Sequence, residues 1–199
     1  MITTTILEVS LIMSRSFLLL YGVGGSDPDH WQTWLHQELV KRGKTVRFPD
    51  FPDKDQPDRD VWLDHLSSVF DEIPNDEEVI VVAHSLACIM WFHYAASTPK
   101  RKIRRAILIA PPSPFLEYEP VMTFFPVPEN MHEIGKVAEK TLLVLSSTDP
   151  YCSVEDASQY FDLGVPCVML PKMGHINVEA GYGPWPWILD VCLNEQVTF

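Results

Sequence analysis

The sequence predicts an α/β fold, a parallel sheet with helices on both faces in three layers, and three observations carry that prediction. Continuously apolar runs such as Phe17-Leu18-Leu19-Leu20-Tyr21 and Val79-Ile80-Val81-Val82-Ala83 are the mark of strands covered on both faces. Longer stretches with apolar residues at helical spacing separate these runs throughout, which calls for parallel strands joined by helical crossovers. The chain's 199 residues, 46% hydrophobic and 21% charged, suit one globular domain with a full core.

Taken in order, residues 17–21 make the first strand, and the Gly-rich loop Gly22-Val23-Gly24-Gly25-Ser26 follows it. Trp31, Trp34, Leu35 and Leu39 mark a helix over 31–42, which Gly43 ends. Residues 45–48 read as the second strand and the Pro- and Asp-rich 49–58 as a loop. Val61, Trp62, Leu66, Val69, Phe70 and Ile73 mark the next helix. The β-branched run at 78–83 is the third strand, with a helix over 86–97 directly behind it. Strands are expected at 106–110, 142–145 and 166–170, and helices at 154–163 and 186–195. Residues 111–128 break the rhythm, with six prolines beside Phe115, Tyr118, Phe124 and Phe125. They read either as a proline-stiffened crossover or as a small cap carrying aromatic side chains over a pocket.

The bulk numbers narrow the partners. A net charge of −12 argues against nucleic acid or an anionic membrane. Cys88, Cys152, Cys167 and Cys192 form no CxxC and no pairing with histidine, so reduced thiols in a cytoplasmic protein are expected. His36, His65, His93 and His132 make no ligand pair either, and neither a metal nor a cofactor is expected. The apolar stretch near the start lacks a basic leading region, carries Glu8 and is too short to cross a bilayer, which argues against a secretory leader or an anchor. Residues 1–16 read as an N-terminal extension to a single domain spanning 17–199.

Ala83-His84-Ser85-Leu86-Ala87 stands between an apolar strand and a helix, where the nucleophile elbow of an α/β-hydrolase lies. Small residues on either side of the serine let strand and helix approach closely, and alanine fills both places here. A serine capping a helix is the plain alternative. The partners decide. A serine hydroxyl needs a base, and the base an orienting acid, each from a loop at the C-terminal end of a later strand. Asp149 follows the fifth strand and His175 the sixth, in the required order. Ser85, Asp149 and His175 are therefore the expected nucleophile, acid and base. The backbone N–H of Leu86 and that of Val23, with Gly24 as second choice, are the expected oxyanion donors. A dinucleotide-type phosphate loop is discounted, because the third glycine is missing and Asp27 is close by. His30, His84, Phe115, Phe124, Phe125 and Trp185 are the candidates for the substrate pocket.

Three further motifs stand out: Gly174-His175-Ile176-Asn177-Val178-Glu179-Ala180-Gly181-Tyr182-Gly183-Pro184-Trp185-Pro186, then Asp149-Pro150-Tyr151-Cys152-Ser153, and Gly24-Gly25-Ser26 leading to His30-Trp31. In these the chain resembles the retinoblastoma-binding protein 9-like serine hydrolases, particularly the bacterial members of that small α/β-hydrolase group. The resemblance spans roughly residues 17–190. It implies a triad of Ser85, Asp149 and His175 and a six-stranded parallel sheet in the order 2-1-3-4-5-6. Tyr21 stands where the family often has histidine, and Ala83 and Ala87 replace the elbow glycines. Leu86-Ala87-Cys88-Ile89-Met90 ends in Met where the retinoblastoma-binding motif has Glu, so that partner is not supported. Two functions follow: hydrolysis of a small ester or amide through an acyl-serine, or binding and regulation on a hydrolase scaffold with vestigial activity.

Overall fold

The computed structural model describes residues 14–97, 101 and 103–194. Six parallel strands form one sheet in the order β2-β1-β3-β4-β5-β6. They are β1 (Arg15–Leu20), β2 (Thr45–Arg47), β3 (Glu78–His84), β4 (Ile103–Ile109), β5 (Ala138–Ser146) and β6 (Cys167–Leu170). The helices are α1 (Trp31–Lys41), α2 (Arg59–Asp71), α3 (Leu86–Ala96), α4 (Ile134–Val137), α5 (Val154–Phe161) and α6 (Pro186–Leu193). The order implied by the resemblance is the one observed. No helix among the described residues is long and apolar enough to cross a membrane.

Each face of the sheet has its own core. Phe17, Leu19, Ile80, Val82 and Ile107 point to the side covered by α1 and α6, where Trp31, Leu35, Leu39 and Ile188 pack. Leu18, Leu20, Val79, Val81 and Leu108 point to the other side, under α2, α3 and α5. The alternation of neighbours between two buried faces is why these strands read as unbroken apolar runs. Nine residues of α3 are buried, so it carries no polar stripe and lies inside the protein. Asp58 caps α2 by accepting from the N–H groups of Asp60 and Val61, and Ser153 caps α5 by accepting from that of Asp156.

Several boundaries differ from expectation, for identifiable reasons. β1 starts at Arg15, inside the expected extension, because Arg15 pairs with Glu78 at 2.8 Å and Ser16 is fully buried; residues 1–13 lie outside the described residues. β4 and β5 begin several residues early, since Arg104, Glu139 and Lys140 hide strand ends from an apolar-run search. Arg105, on β4, is buried with its guanidinium donating to the carbonyl of Val191. The crossover after β4 holds two short 3-10 helices, Glu119–Phe124 and Met131–Glu133, and then the single turn of α4, none of them expected. α6 ends at Leu193, and Glu195 lies outside the described residues.

The chain leaves β1 toward β2 on one side and continues from β3 toward β6 on the other. The loops after β1 and β3 therefore part at adjacent strand ends, and a crevice opens there.

Candidate active site

β3 ends at His84 and α3 begins at Leu86, so Ser85 alone makes the turn between them, with φ 56° and ψ −126°. That left-handed φ is unfavourable for a residue with a Cβ and persists only where the surroundings enforce it. They do: the Ser85 N–H donates to the Ile109 carbonyl at 3.0 Å, and its own carbonyl accepts from Cys88 at 2.9 Å. Ala83 and Ala87 are fully buried on either side. Gly22 approaches so closely that a Cβ there would lie 2.7 Å from the Ser85 Cβ, which makes glycine necessary at that position.

The structure brings the three expected residues together. Ser85 Oγ lies 2.8 Å from His175 Nε2, and His175 Nδ1 lies 2.9 Å from both Asp149 oxygens. Because a carboxylate only accepts, Nδ1 carries the imidazole proton and Nε2 is left to accept from the hydroxyl. The Asp149 carboxylate is almost wholly buried, 2% exposed, and also accepts from the Tyr151 N–H at 2.9 Å. A carboxylate held in that way fixes the imidazole in one tautomer and stabilises its protonated form.

The loop carrying His175 is stitched down by partners that the sequence reading missed. Three successive hydroxyls at the end of β5 accept from three successive amides: Lys172 donates to Ser147, Met173 to Ser146 and Gly174 to Thr148, at 3.0, 3.1 and 3.1 Å. His84 Nε2 donates to the His175 carbonyl at 3.0 Å, and Trp31 Nε1 donates to the next carbonyl, that of Ile176, at 2.8 Å. The run Ser146-Ser147-Thr148 was the available signal, since hydroxyls clustered at a strand end commonly bind loop backbone.

His30, His84 and His175 form a row, with ring centroids 5.1 Å apart at each of the contacts His30–His84 and His84–His175. Burial lowers the His30 pKa to about 4; Asp27 works against that shift and the neighbouring His175 adds to it. Burial also pushes His84 well below the ordinary imidazole value, helped by His175 and His30. Both rings are therefore neutral near pH 7. His30 caps α1 by accepting the Gln32 N–H at Nδ1, so its single proton sits on Nε2.

A cleft of about 420 Å³ opens above Ser85. The N–H of Leu86, at the first turn of α3, and that of Val23 have no hydrogen-bond partner among the described residues, and both residues line this cleft. Gly24, the second choice for that role, is corrected: its N–H donates to the Lys54 carbonyl at 2.9 Å and is already committed. Of the pocket candidates, His30 and His84 line the cleft, and four do not. Phe124 is fully buried against Trp62, and Phe125 packs on the same core. Trp185 is buried and stacks on Trp187, while Phe115 stands 65% exposed away from the cleft. In their place residues 111–128 contribute Pro112, Leu116, Tyr118 and Val121 to the lining of the cleft. Tyr151, whose ring meets His175 edge-on at 4.6 Å, completes that lining.

The sequence matches the model of the family described as serine hydrolase over residues 17–194. The chain belongs to this serine hydrolase family. The YdeN protein of Bacillus subtilis (strain 168) is 25% identical over 186 residues, 90% of this chain and 95% of its own. The crystal structure of the B. subtilis ydeN gene product superposes with a TM-score of 0.75 at 20% identity, over 90% of this chain and 97% of that one. A YdeN-like protein from Pectobacterium atrosepticum gives 0.68 at 24% identity, over 89% and 88%. The thioesterase domain of the curacin biosynthetic pathway gives 0.64 at 16% identity, over 91% of each chain. At these identities the structural likenesses establish a shared α/β-hydrolase fold. Together with the family match they make this chain a serine hydrolase.

Proposed function

We propose that this hydrolase cleaves a small carboxylic ester or amide through an acyl-serine intermediate, acting as a carboxylesterase. The observation that carries the reading is the unbroken hydrogen-bonded line from Ser85 through His175 to Asp149 at the floor of an open cleft. His175 Nε2 takes the hydroxyl proton as Ser85 Oγ bonds to the substrate carbonyl carbon. The carbonyl oxygen becomes an oxyanion received by the N–H groups of Leu86 and Val23. Protonated His175 then delivers its proton to the leaving oxygen or nitrogen as that bond breaks. A water, deprotonated by the same nitrogen, attacks the acyl-serine and releases the acid. No cofactor takes part in these steps.

Within the family we place the chain among the retinoblastoma-binding protein 9-like members, on the strength of the motif from Gly174 to Pro186. We assign it to the cytoplasm, in keeping with four unpaired cysteines. Small molecules rather than nucleic acid or membrane are its partners, in line with the charge of −12. A fluorophosphonate probe on purified protein tests the reaction directly. Peptide mapping should find the adduct on Ser85 alone, and Ser85→Ala should abolish both labelling and hydrolysis. An adduct elsewhere, or none, would refute the assignment and favour a binding protein on a hydrolase scaffold.

A further inference from the structure

The Val23 N–H is carried by a backbone with little stiffness of its own. The loop after β1 runs Gly22-Val23-Gly24-Gly25-Ser26, with Gly24 and Gly25 at φ 80° and 85°, a conformation that glycine alone adopts freely. The Val23 side chain is 37% exposed, so packing does little to hold that residue. Two backbone hydrogen bonds restrain the loop, from Gly25 to the Gly22 carbonyl at 3.2 Å and from Gly24 to the Lys54 carbonyl at 2.9 Å. An oxyanion donor helps only when its direction is fixed before the charge develops. The ends of the loop must therefore be held as well.

Gln32, in the first turn of α1, is fully buried. A carboxamide in such a place is costly unless both of its ends are hydrogen-bonded, whereas an apolar side chain of the same size would carry no such cost. Both ends are bonded. Nε2 donates to the carbonyl of Leu20, the last residue of β1, at 2.9 Å. Because a carbonyl only accepts, that contact orients the carboxamide and leaves Oε1 to accept from the Ser26 hydroxyl at 2.8 Å. The neighbouring Thr33 hydroxyl donates to the Ser26 carbonyl at 3.2 Å. Leu20 and Ser26 bracket the loop, and Val23 stands midway between them. The same helical turn holds the base loop through Trp31, so one support serves both loops.

We infer that Gln32 is a positioning residue for the oxyanion hole: its carboxamide, clamped between the Leu20 carbonyl and the Ser26 hydroxyl, fixes the direction of the Val23 N–H without touching substrate. This rests on the acyl-serine reading above and deepens it, by naming what preorganises one of the two donors. A donor displaced by about 1 Å costs about 10²-fold in rate, and substrate binding is spared because the oxygen gains its charge only in the transition state.

Gln32→Met keeps the bulk of the side chain and removes both hydrogen bonds, while Ser26→Ala removes one of them at its partly exposed end. With p-nitrophenyl butyrate, kcat should fall about 10²-fold in the first variant and about tenfold in the second, with KM within about twofold of wild type. Propyl trifluoromethyl ketone adds to the serine and places an oxyanion in the hole, so its inhibition constant should rise in step with the loss of kcat/KM. Ser26→Thr keeps the hydroxyl and should retain kcat within about twofold of wild type. Thr141→Val removes a buried hydrogen bond to the Ile134 carbonyl away from the cleft, and should lower the melting temperature while leaving kcat and ketone binding unchanged. Gln32 loses this role if Ser26→Ala keeps wild-type kcat, if Ser26→Thr loses as much as Ser26→Ala, or if ketone affinity holds while kcat falls. Should Gln32→Met fail to fold, the two Ser26 variants decide alone. Labelling of wild-type Ser85 by an uncharged fluorophosphonate keeps the two readings apart. Where Ser85 labels, the hydrolase reading stands whatever the variants do, and the labelling rate, which depends on the same donors, replaces kcat if the butyrate is not cleaved. Where Ser85 does not label and no ester is cleaved, the hydrolase reading falls and takes the role of Gln32 with it.

Discussion

The elbow at residues 84–86 and the crossover at residues 111–133 both reach the cleft from the C-terminal edge of the sheet, but they are held very differently. His84 and Leu86 are buried, and the Ser85 backbone is tied into the sheet through Ile109. The crossover carries Phe115, Tyr118 and Met122 exposed, has only short 3-10 turns, and is tied down at separated points. Phe124 sits in the core, its carbonyl accepts from His93 at 2.7 Å, and Tyr160 donates to the Pro112 carbonyl. The side that must hold atoms to fractions of an ångström is enclosed, whereas the side that only lines the cleft is left adjustable.

The sharpest way to break this contrast is to disturb the enclosed side without touching the serine. Asp149→Asn keeps the shape of the side chain but removes the charge that orients His175, and should lower kcat by about 10⁴-fold with folding intact. Loss of less than tenfold, measured by steady-state kinetics beside a melting curve, would mean that the geometry alone suffices. The enclosed side should also carry an acid weakness. Since folding lowers the His30 and His84 pKa values, the unfolded chain binds protons first, and stability is lost as pH falls below about 6.5. For His30 the loss continues to about pH 4 and amounts to about 3 kcal/mol. His30→Asn retains an acceptor for the Gln32 amide but cannot titrate. Urea midpoints at pH 7 and pH 5 should therefore lie closer together in that variant than in the wild type. The smallest effect belongs to the crossover: Tyr118→Ala should raise KM for aryl esters about threefold, with kcat within about twofold. A fall in kcat as large as that of Asp149→Asn would show the crossover to be part of the machinery.

The two regions also differed in how far the sequence disclosed them. Ser85, Asp149 and His175 could be found because each follows directly on an apolar run, and a parallel sheet puts all such loops at one edge. The cleft wall could not be found the same way. Phe124 and Val121 are both apolar residues of one proline-rich stretch and of one 3-10 turn, yet Val121 lines the cleft and Phe124 does not. Trp185 misled for the same reason, as aromatic character does not say which side of a loop faces inward. Gly24 shows another limit. Its place in the loop suited an oxyanion donor, but its amide is used by Lys54, thirty residues later, a contact with no local sequence signal.

The peptide between His175 and Ile176 has a consequence for how the molecule fails. The His175 carbonyl of that peptide and the Ile176 carbonyl that follows it each accept a hydrogen bond from a buried ring, His84 at the end of β3 and Trp31 at the start of α1. Ile176 itself is fully buried with φ 51°, a conformation that the surrounding core has to maintain. Opening the base loop at this point therefore means drawing Ile176 out of the core that it shares with Trp31 and Ile188. Heat inactivation should therefore run together with the loss of the fold, so that the surviving activity of a warmed sample should count the molecules that have stayed folded.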